Sequence, residues 1–330
     1  MKKSWMKKKS TFSSKEISSK TKKRTLSMGK AYWVKNPIFE NQEVKQDLQS
    51  FYDKEAKKYA ETRKKFWHEE KAILDAITPL FWEKPPFDKG GADPEVTNGE
   101  AEGYNINSKN PPYPPCQRGA KKKLRILEFW CGSGRFATLL NQNFSDKFDY
   151  VWIDLSDELL SYASKDNPNL TFFQWDITKL VKNFEQESFD LIVWTSSFQH
   201  IPTNKERSFL MKNFYRLLDY DWILLMTNRS LSKWFMEKHR KTILKSRFLS
   251  LIQFNKSKSR DIMVPRTDEE WKVYERFYHF FSLKELEKLA IFSGLNIKTN
   301  TYINDSGEFT DDEKISRSSL FVAQKSPIIN

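Results

Sequence analysis

Short apolar runs alternate with amphipathic stretches from residue 121 onward. The runs that predict strands are RILEF (125–129), YVWID (150–154), LTFFQW (170–175), DLIVWT (190–195) and WILLMT (222–227). Helical periodicity lies between them, near 135–142, 157–165 and 204–218. Strands that alternate with helices favour a parallel sheet covered by helices on both faces. We therefore expect an α/β fold with a doubly wound, mostly parallel sheet.

The last hundred residues extend this pattern to the edge of the sheet. A helical stretch at about 231–250 is followed by SLKELEKLAIFSG, which predicts a helix that ends at Gly294. LNIKTNTYI and SSLFVAQK then predict two final strands, which bring the total to seven. Two successive strands at the end of a sheet form a hairpin edge, so we expect the final strand to run antiparallel.

The first 120 residues differ from this domain (121–330) in composition. Residues 1–30 carry eleven Lys or Arg and one acid, so we expect a disordered basic tail over 1–45. Residues 46–80 carry apolar positions at three- and four-residue spacing, which predicts one or two amphipathic helices. Residues 81–120 hold seven of the 13 Pro and five of the 10 Gly, which is typical of an insertion or linker.

Charge and cysteine content restrict the class of protein further. The net charge of the whole chain is +13, but residues 31–330 carry 45 basic against 42 acidic residues, a net +3. The tail could hold RNA loosely, and a solvated tail without a partner is the alternative. There is no apolar run of the roughly 18 residues that a membrane span needs, and no signal peptide. With only Cys116 and Cys131 and no ligand-like His spacing, we expect a cytoplasmic protein with no membrane partner and no metal.

The sharpest local motif is ILEFWCGSGRF at 126–136, a strand followed by a glycine turn and a helix that starts near Arg135. Such a turn lets backbone N–H groups and the helix N-terminus approach a ligand. Acidic residues end the first three predicted strands, at Glu128, Asp154 and Asp176. An acid about 20 residues beyond the turn accepts the hydroxyls of a ribose. Asp176, followed by the apolar Ile177, suits an adenine, so the pattern predicts a nucleotide-like cofactor.

These motifs resemble those of the class I S-adenosylmethionine-dependent methyltransferases. The resemblance lies in E-F-W-C-G-S-G-R, V-W-I-D-L-S, F-Q-W-D-I-T and F-D-L-I-V-W-T-S-S-F-Q-H-I, in that order. It implies methyl transfer, S-adenosylmethionine as the cofactor and a Rossmann-like seven-stranded sheet. The cofactor-binding positions that it implies are Glu128, Trp130, Gly132, Gly134, Asp154, Leu155, Asp176 and Ile177. An NAD enzyme is the competing interpretation, and its third glycine would fall on Ala137 or Thr138.

Four tryptophans stand where this family has glycine: Trp130, Trp152, Trp175 and Trp222. Gly makes up only 10 of the 330 residues, less than half its ordinary share, whereas Trp stands at 11. We expect an indole at position 130 to block the cofactor, because a side chain there obstructs the approach of the backbone. Our hypothesis is that the gene comes from a lineage that reads UGA codons as Gly, and that these codons were translated here as Trp. Trp271 is a further instance, whereas Trp67 is a genuine tryptophan. A degenerate, cofactor-dead paralogue is the alternative.

Two segments outside the cofactor motifs resemble the tRNA wobble-uridine methyltransferases, which esterify 5-carboxymethyluridine. They are YDKEAKKYAETRKKFW (52–67) and DIMVPRTDEEWKVYERFYHFFSLKEL (261–286). The second overlaps a substrate-specificity insertion that we expect at about 229–281. A carboxylate is already a nucleophile, so it needs positioning by cations more than a strong base. The candidate catalytic residues are Arg63, His200, Arg276, Tyr278 and His279.

This resemblance implies tRNA as a partner, and a small activating subunit, as in relatives, is a possible second partner. A class I enzyme that methylates a small molecule is the first alternative, because it would share the cofactor half. A non-catalytic RNA-binding paralogue with a blocked cofactor pocket is the second. Gln199 replaces the first residue of a His-His pair, and Arg266 stands where the family has Trp. These departures weaken the assignment of the modified base more than the assignment of methyl transfer.

Overall fold

The computed structural model describes residues 41–64, 67–82, 123–176, 181–252, 259–268, 271 and 273–326. The predicted tail up to residue 40, residues 83–120 of the predicted linker, and Ile177 lie outside these residues.

A central mixed sheet is the core of the domain. Its strands are Leu124–Phe129 (β1), Phe148–Asp154 (β2), Phe172–Gln174 (β3), Phe189–Thr195 (β4), Leu218–Arg229 (β5), Asn296–Asn304 (β8), Phe309–Thr310 (β9) and Ser316–Gln324 (β10), while Asp261–Thr267 (β6) and Val273–His279 (β7) form a separate hairpin. The order across the sheet is β3-β2-β1-β4-β5-β10-β8-β9. Strands β1 to β5 pair in parallel, and β10 lies antiparallel between β5 and β8. The predicted α/β fold, with its mostly parallel sheet and antiparallel final strand, is confirmed.

The sheet has eight strands, one more than predicted, because the connection before β10 folds back. Gly307 takes a left-handed conformation with φ +85°. The Asn304 side-chain oxygen accepts the N–H groups of Ser306 and Glu308, each at 2.9 Å. This turn places the two-residue strand β9 against the end of β8.

The middle of the sheet is apolar on both faces. Strand β4 is buried at every position before Thr195, as expected for a parallel strand covered by helices on either side. At the amino ends of the strands, the Arg125 guanidinium pairs with Asp190 at 2.7 Å and with Asp219 at 3.1 Å. This ion-pair cluster ties β1, β4 and β5 together at the edge opposite to the glycine turn.

Helices cover the sheet and its carboxyl edge. Their bounds are Asn41–Lys54 (α1), Ala56–Arg63 (α2), Glu70–Trp82 (α3), Arg135–Phe144 (α4), Asp157–Asp166 (α5), Asn204–Leu217 (α6), Lys233–Lys238 (α7), Arg240–Ile252 (α8) and Leu283–Ser293 (α9). Within the described ranges, none of them combines the length and the apolar character that a membrane crossing requires.

The N-terminal segment forms three helices rather than the one or two predicted. Helix α1 stops at Lys54, and Glu55, with φ −94° and ψ 9°, separates it from α2. Between α2 and α3 the chain is held down by the buried Glu69 carboxylate, which accepts the Trp67 indole N–H at 2.7 Å and the Thr227 hydroxyl at 3.3 Å. The segment is therefore anchored over the carboxyl end of β5.

The hairpin β6–β7 lies within the predicted insertion and was not itself predicted. Its two strands pair from Asp261 with His279 to Thr267 with Val273. β7 packs against α1 and against the short turn Phe198–His200 that follows β4. The hairpin thus closes the carboxyl edge of the sheet from a second side.

Helix α9 ends where the sequence predicts, at a left-handed Gly294 with φ +83°. A Cβ atom at this residue would lie 3.2 Å from the Tyr215 ring of α6. We expect Gly294→Ala to lower the free energy of unfolding by about 1–2 kcal/mol, because an L-residue is strained in this conformation. Urea unfolding measures the change, with Lys288→Ala at an exposed position of the same helix as the control. Equal stability of the two variants would contradict the prediction.

Candidate functional site

The turn after β1 brings the backbone of three elements together. Gly132 and Gly134 both have positive φ, +58° and +74°, and α4 begins directly after them. A Cβ atom on Gly134 would lie 2.9 Å from the Ala163 Cβ of α5, so only glycine permits this approach. The Cys131 N–H donates to the Ile153 carbonyl of β2 at 3.2 Å. The predicted glycine turn is therefore a close junction of β1, β2 and α5.

Asp154, at the end of β2, is fixed by backbone groups on both sides. Its carboxylate accepts the Gly132 N–H at 2.8 Å and the Ser156 N–H at 2.9 Å. Burial raises the pKa of Asp154 to about 6, although these hydrogen bonds act in the opposite direction. The Ser156 hydroxyl donates in turn to Asp53 of α1 at 2.6 Å, so the N-terminal helices are tied to this end of the strand.

Glu128, near the end of β1, is fully buried. The Tyr150 hydroxyl lies 3.3 Å and the Thr195 hydroxyl 3.4 Å from its carboxyl oxygens. Burial raises the pKa of Glu128 to about 8, so the carboxyl group holds a proton at neutral pH. Asp176 is half-buried just beyond β3, and Leu155 is half-buried beside Asp154.

A small cavity of about 40 Å³ lies between the turn and the N-terminal helices. Of the predicted site residues it brings together Trp130, Gly132, Asp154, Leu155 and His200, and it adds Tyr52, Tyr59 and Ser196. The two tyrosines belong to the segment 52–67, where Tyr52 lies in α1 and Tyr59 in α2, and their rings pack edge-on with centroids 5.2 Å apart.

The side chain of Trp130 forms part of the wall of this cavity. Its indole is 8% exposed and lies 5.4 Å from the Trp194 ring and 6.3 Å from the His200 ring, centroid to centroid. Pockets for small molecules and cofactors typically measure about 300–1,000 Å³. The glycine turn and the two acids suit a nucleoside cofactor, but the indole of Trp130 does not fit beside it.

His200 is held in its neutral form. Its Nδ1 lies 2.7 Å from the Phe277 carbonyl oxygen of β7, and because a carbonyl only accepts, Nδ1 carries the proton and Nε2 is an acceptor. Burial lowers the pKa of His200 to about 3. The ring packs edge-on against Tyr278 at 4.5 Å and lies 6.4 Å from Tyr52. His200 is therefore a weak base at neutral pH.

Arginines gather around this histidine on aromatic supports. The Arg276 guanidinium lies 4.9 Å from the Phe51 ring and 5.3 Å from the Tyr278 ring, and its buried Nε has no hydrogen-bond partner among the described residues. Burial acts to lower the pKa of Arg276, but Tyr278 and Tyr52 hold it above the usual value. The structure thus brings together Arg276, Tyr278 and His200, as predicted.

Two further arginines complete the group, which we call the arginine cluster: Arg63, Arg229 and Arg276. The Arg63 guanidinium lies 4.4 Å from the Tyr59 ring, which raises its pKa. Arg229 ends β5, and burial lowers its pKa, with the charges of Arg317 and Arg63 acting in the same direction. None of the ion pairs among the described residues includes a member of the arginine cluster. Sequence reasoning did not find Arg229.

His279 lies outside this group. Its Nδ1 is 2.5 Å from an Asp261 oxygen and its Nε2 is 2.8 Å from a Glu285 oxygen, so both nitrogens are occupied. Neighbouring residues of a strand point to opposite faces, which explains why Tyr278 reaches the site and His279 does not. In this structure His279 connects β6, β7 and α9. Across the described ranges, including this group, His, Cys, Asp and Glu side chains form no cluster that could hold a metal ion.

The charge of Glu128 generates a prediction about stability. Between its ordinary pKa of 4.5 and the value of about 8 in the fold, the folded chain holds a proton that the unfolded chain has released. This group therefore destabilises the folded state progressively as the pH rises through that range. We expect Glu128→Gln to gain stability relative to the parent between about pH 5 and pH 8, by on the order of 1.4 kcal/mol per pH unit. Urea unfolding across this range tests it, and parallel pH profiles would refute it.

Comparison with known proteins finds similarity to methyltransferases. Residues 126–221 match a family model described as a methyltransferase domain. The chain is 26% identical over 194 residues to malonyl-[acyl-carrier protein] O-methyltransferase 1 of Ilyobacter polytropus, a match that covers 55% of this chain and 69% of the relative.

Solved structures are similar over larger parts of the chain. A SAM-dependent methyltransferase from Methanosarcina mazei is 21% identical, with a TM-score of 0.47 over 62% of this chain and 93% of that one. The structure of DhpI in complex with SAH is 13% identical, with a TM-score of 0.48 over 86% of this chain and 97% of that one.

Proposed function

We propose that this chain, an S-adenosylmethionine-dependent methyltransferase with a class I methyltransferase domain, forms the methyl ester of a carboxylate. The transferase activity and the cofactor follow from the family match and from the Ilyobacter relative. The nature of the acceptor is the proposal, and the arginine cluster beside a neutral histidine carries it.

Charge is the first argument for an anionic acceptor. The three guanidinium groups of the arginine cluster are half-buried, and the aromatic rings beside Arg63 and Arg276 do not neutralise their charge. Glu69 acts on Arg63 and Arg229 at longer range, but its oxygens accept hydrogen bonds from Trp67 and Thr227. Arginine binds carboxylates through parallel hydrogen bonds, so the cluster suits a carboxylate ligand.

The second argument is that the described residues around the cluster supply no strong base. His200, with a pKa of about 3, is a poor proton acceptor at neutral pH, and the Asp154 carboxylate is engaged by backbone N–H groups. Burial raises the pKa of Tyr52 above its usual value, so its hydroxyl stays neutral and can donate a hydrogen bond. An alcohol or amine acceptor needs a base to remove its proton. A carboxylate is already ionised, and the site only has to position it.

We infer that the acid is a small or carrier-bound one. The named relative is a malonyl-[acyl-carrier protein] O-methyltransferase, and its name describes the esterification of such a carboxylate. This favours the small-molecule alternative over tRNA.

The wobble-uridine carboxymethyl group of tRNA is the second candidate acceptor. One observation favours it: the two segments that resemble the tRNA enzymes meet at the site. Tyr52 and Arg63 come from the first segment and Arg276 and Tyr278 from the second, and Tyr52 and Tyr278 both pack against the His200 ring. Both candidates present a carboxylate, so the chemistry proposed is the same.

The product distinguishes these possibilities. Purified protein and its Trp130→Gly variant, whose glycine turn carries no indole, are incubated with methyl-labelled S-adenosylmethionine and either malonyl-acyl carrier protein or tRNA bearing carboxymethyluridine. We expect label that mild alkali releases as methanol, because only a methyl ester is cleaved in this way. Label on the carrier protein supports the small acid, and label on tRNA supports the second candidate. Alkali-stable label overturns the carboxylate proposal.

Arg276 should bind the acceptor rather than support the fold. In the Trp130→Gly background, we expect Arg276→Gln to raise the KM for the carboxylate acceptor about 10- to 100-fold, the loss typical of a hydrogen bond between charged groups, with a smaller effect on kcat. The matched control is Arg266→Gln, because Arg266 is exposed on the neighbouring strand β6. Similar KM values for the two variants would argue against a role for the arginine cluster in substrate binding.

A further inference from the structure

The backbone at position 130 has a conformation that tryptophan rarely adopts. Six non-glycine residues in the described part of the chain have positive φ: Trp130, Asp146, Glu187, Ser196, Asp221 and Trp271. Left-handed backbone is disfavoured for L-residues because Cβ crowds the carbonyl oxygen, and short polar residues tolerate it best. A bulky aromatic residue at φ +50° in the glycine turn is therefore an outlier.

The environment of the indole is equally unfavourable. The Nε1 of Trp130 is buried and has no hydrogen-bond partner among the described residues, as is also the case for Trp152 and Trp194. Trp67 shows what a well-accommodated indole looks like in the same fold, since its Nε1 donates to Glu69 at 2.7 Å and Arg135 lies 4.7 Å from its ring. Buried tryptophan N–H groups usually find a partner. The structure therefore accommodates Trp130 poorly in both backbone and side chain.

The location of the indole gives this strain a functional meaning. In open α/β sheets, ligands bind in the crevice at the carboxyl ends of the strands, and the first glycine turn approaches them most closely. Trp130 lies in that crevice, in the wall of the same cavity as Gly132, Asp154 and His200. The space between the turn and His200, where cofactor and acceptor have to meet, is occupied by protein.

We propose that Trp130 occludes the S-adenosylmethionine site of this chain and that glycine is the residue with which position 130 functions. Trp271 supports a common origin, because it has φ +61°, is 86% exposed and stands in the connection between β6 and β7. Two tryptophans at left-handed positions in unrelated environments are what results when UGA codons that encode glycine are translated as tryptophan. The proposal concerns the cofactor alone and does not depend on the carboxylate acceptor.

Equilibrium binding of S-adenosylmethionine, measured by calorimetry without any acceptor, tests the occlusion. We expect Trp130→Gly to bind at least about 100-fold more tightly than the parent. Trp130→Phe keeps a ring in the cavity and should bind as poorly as the parent. Trp130→Ala opens the cavity but keeps the strained φ, so its affinity should lie between these two. Trp271→Gly is the matched control, because it relieves the same strain outside the cavity and should leave affinity unchanged.

The parent protein alone can overturn the proposal, even where a variant fails to fold. Saturable micromolar binding by the parent would show that the indole moves aside. Equal affinity of the phenylalanine and glycine variants would also contradict occlusion. The origin is tested by mass spectrometry of the peptides spanning 130 and 271 in protein isolated from its native cells. Glycine at both positions supports the proposal. Tryptophan at position 130 overturns the inference that glycine is the functional residue there.

Discussion

Exclusion of water from the carboxyl edge of the sheet is the constraint on which the site depends. Helix α1, the loop that Glu69 anchors and the hairpin β6–β7 cover this edge from different directions. Once covered, its ionisable groups resist charge: burial raises the pKa of Glu128 to about 8 and that of Asp154 to about 6, and lowers that of His200 to about 3. The same cover thus favours the uncharged form of each group, and it keeps Glu128 protonated at neutral pH.

The arginine cluster is the exception to this neutrality, and aromatic rings explain how it persists. Guanidinium groups stacked on Phe51, Tyr59 and Tyr278 are stabilised by the ring faces without losing their net positive charge. A carboxylate partner within the chain would have neutralised that charge and removed the capacity to bind an anion. Support by aromatic rings therefore stabilises the arginines and still leaves them able to bind a ligand.

The regular part of the fold could be predicted because local pattern and final environment agree. The run DLIVWT predicts a strand and becomes the buried β4, and Gly294 ends α9 because its backbone has to turn left-handed. The hairpin β6–β7 escaped prediction because DIMVPRT interrupts its apolar run with Pro265 and charged residues. The hairpin is stabilised by the pairing of its two strands and by the contact of β7 with His200, neither of which leaves a local sequence pattern. Neighbouring residues of β7 point to opposite faces, but which of Tyr278 and His279 faces the site depends on the strand register. Sequence spacing alone leaves that register open.

The anchoring of the N-terminal loop has a consequence for the order in which the molecule assembles. His68 Nε2 lies 3.0 Å from the hydroxyl of Ser318 in β10, a residue 250 positions further along the chain. Strand β10 is inserted between β5 and β8, so the surface that receives the loop exists only when the C-terminal strand is in place. During synthesis this contact must therefore wait until β10 has emerged from the ribosome, whereas the contacts of Asp53 with Ser156 and of Glu69 with Thr227 can form earlier. The first loop of the chain is thus locked last, by the strand that completes the middle of the sheet.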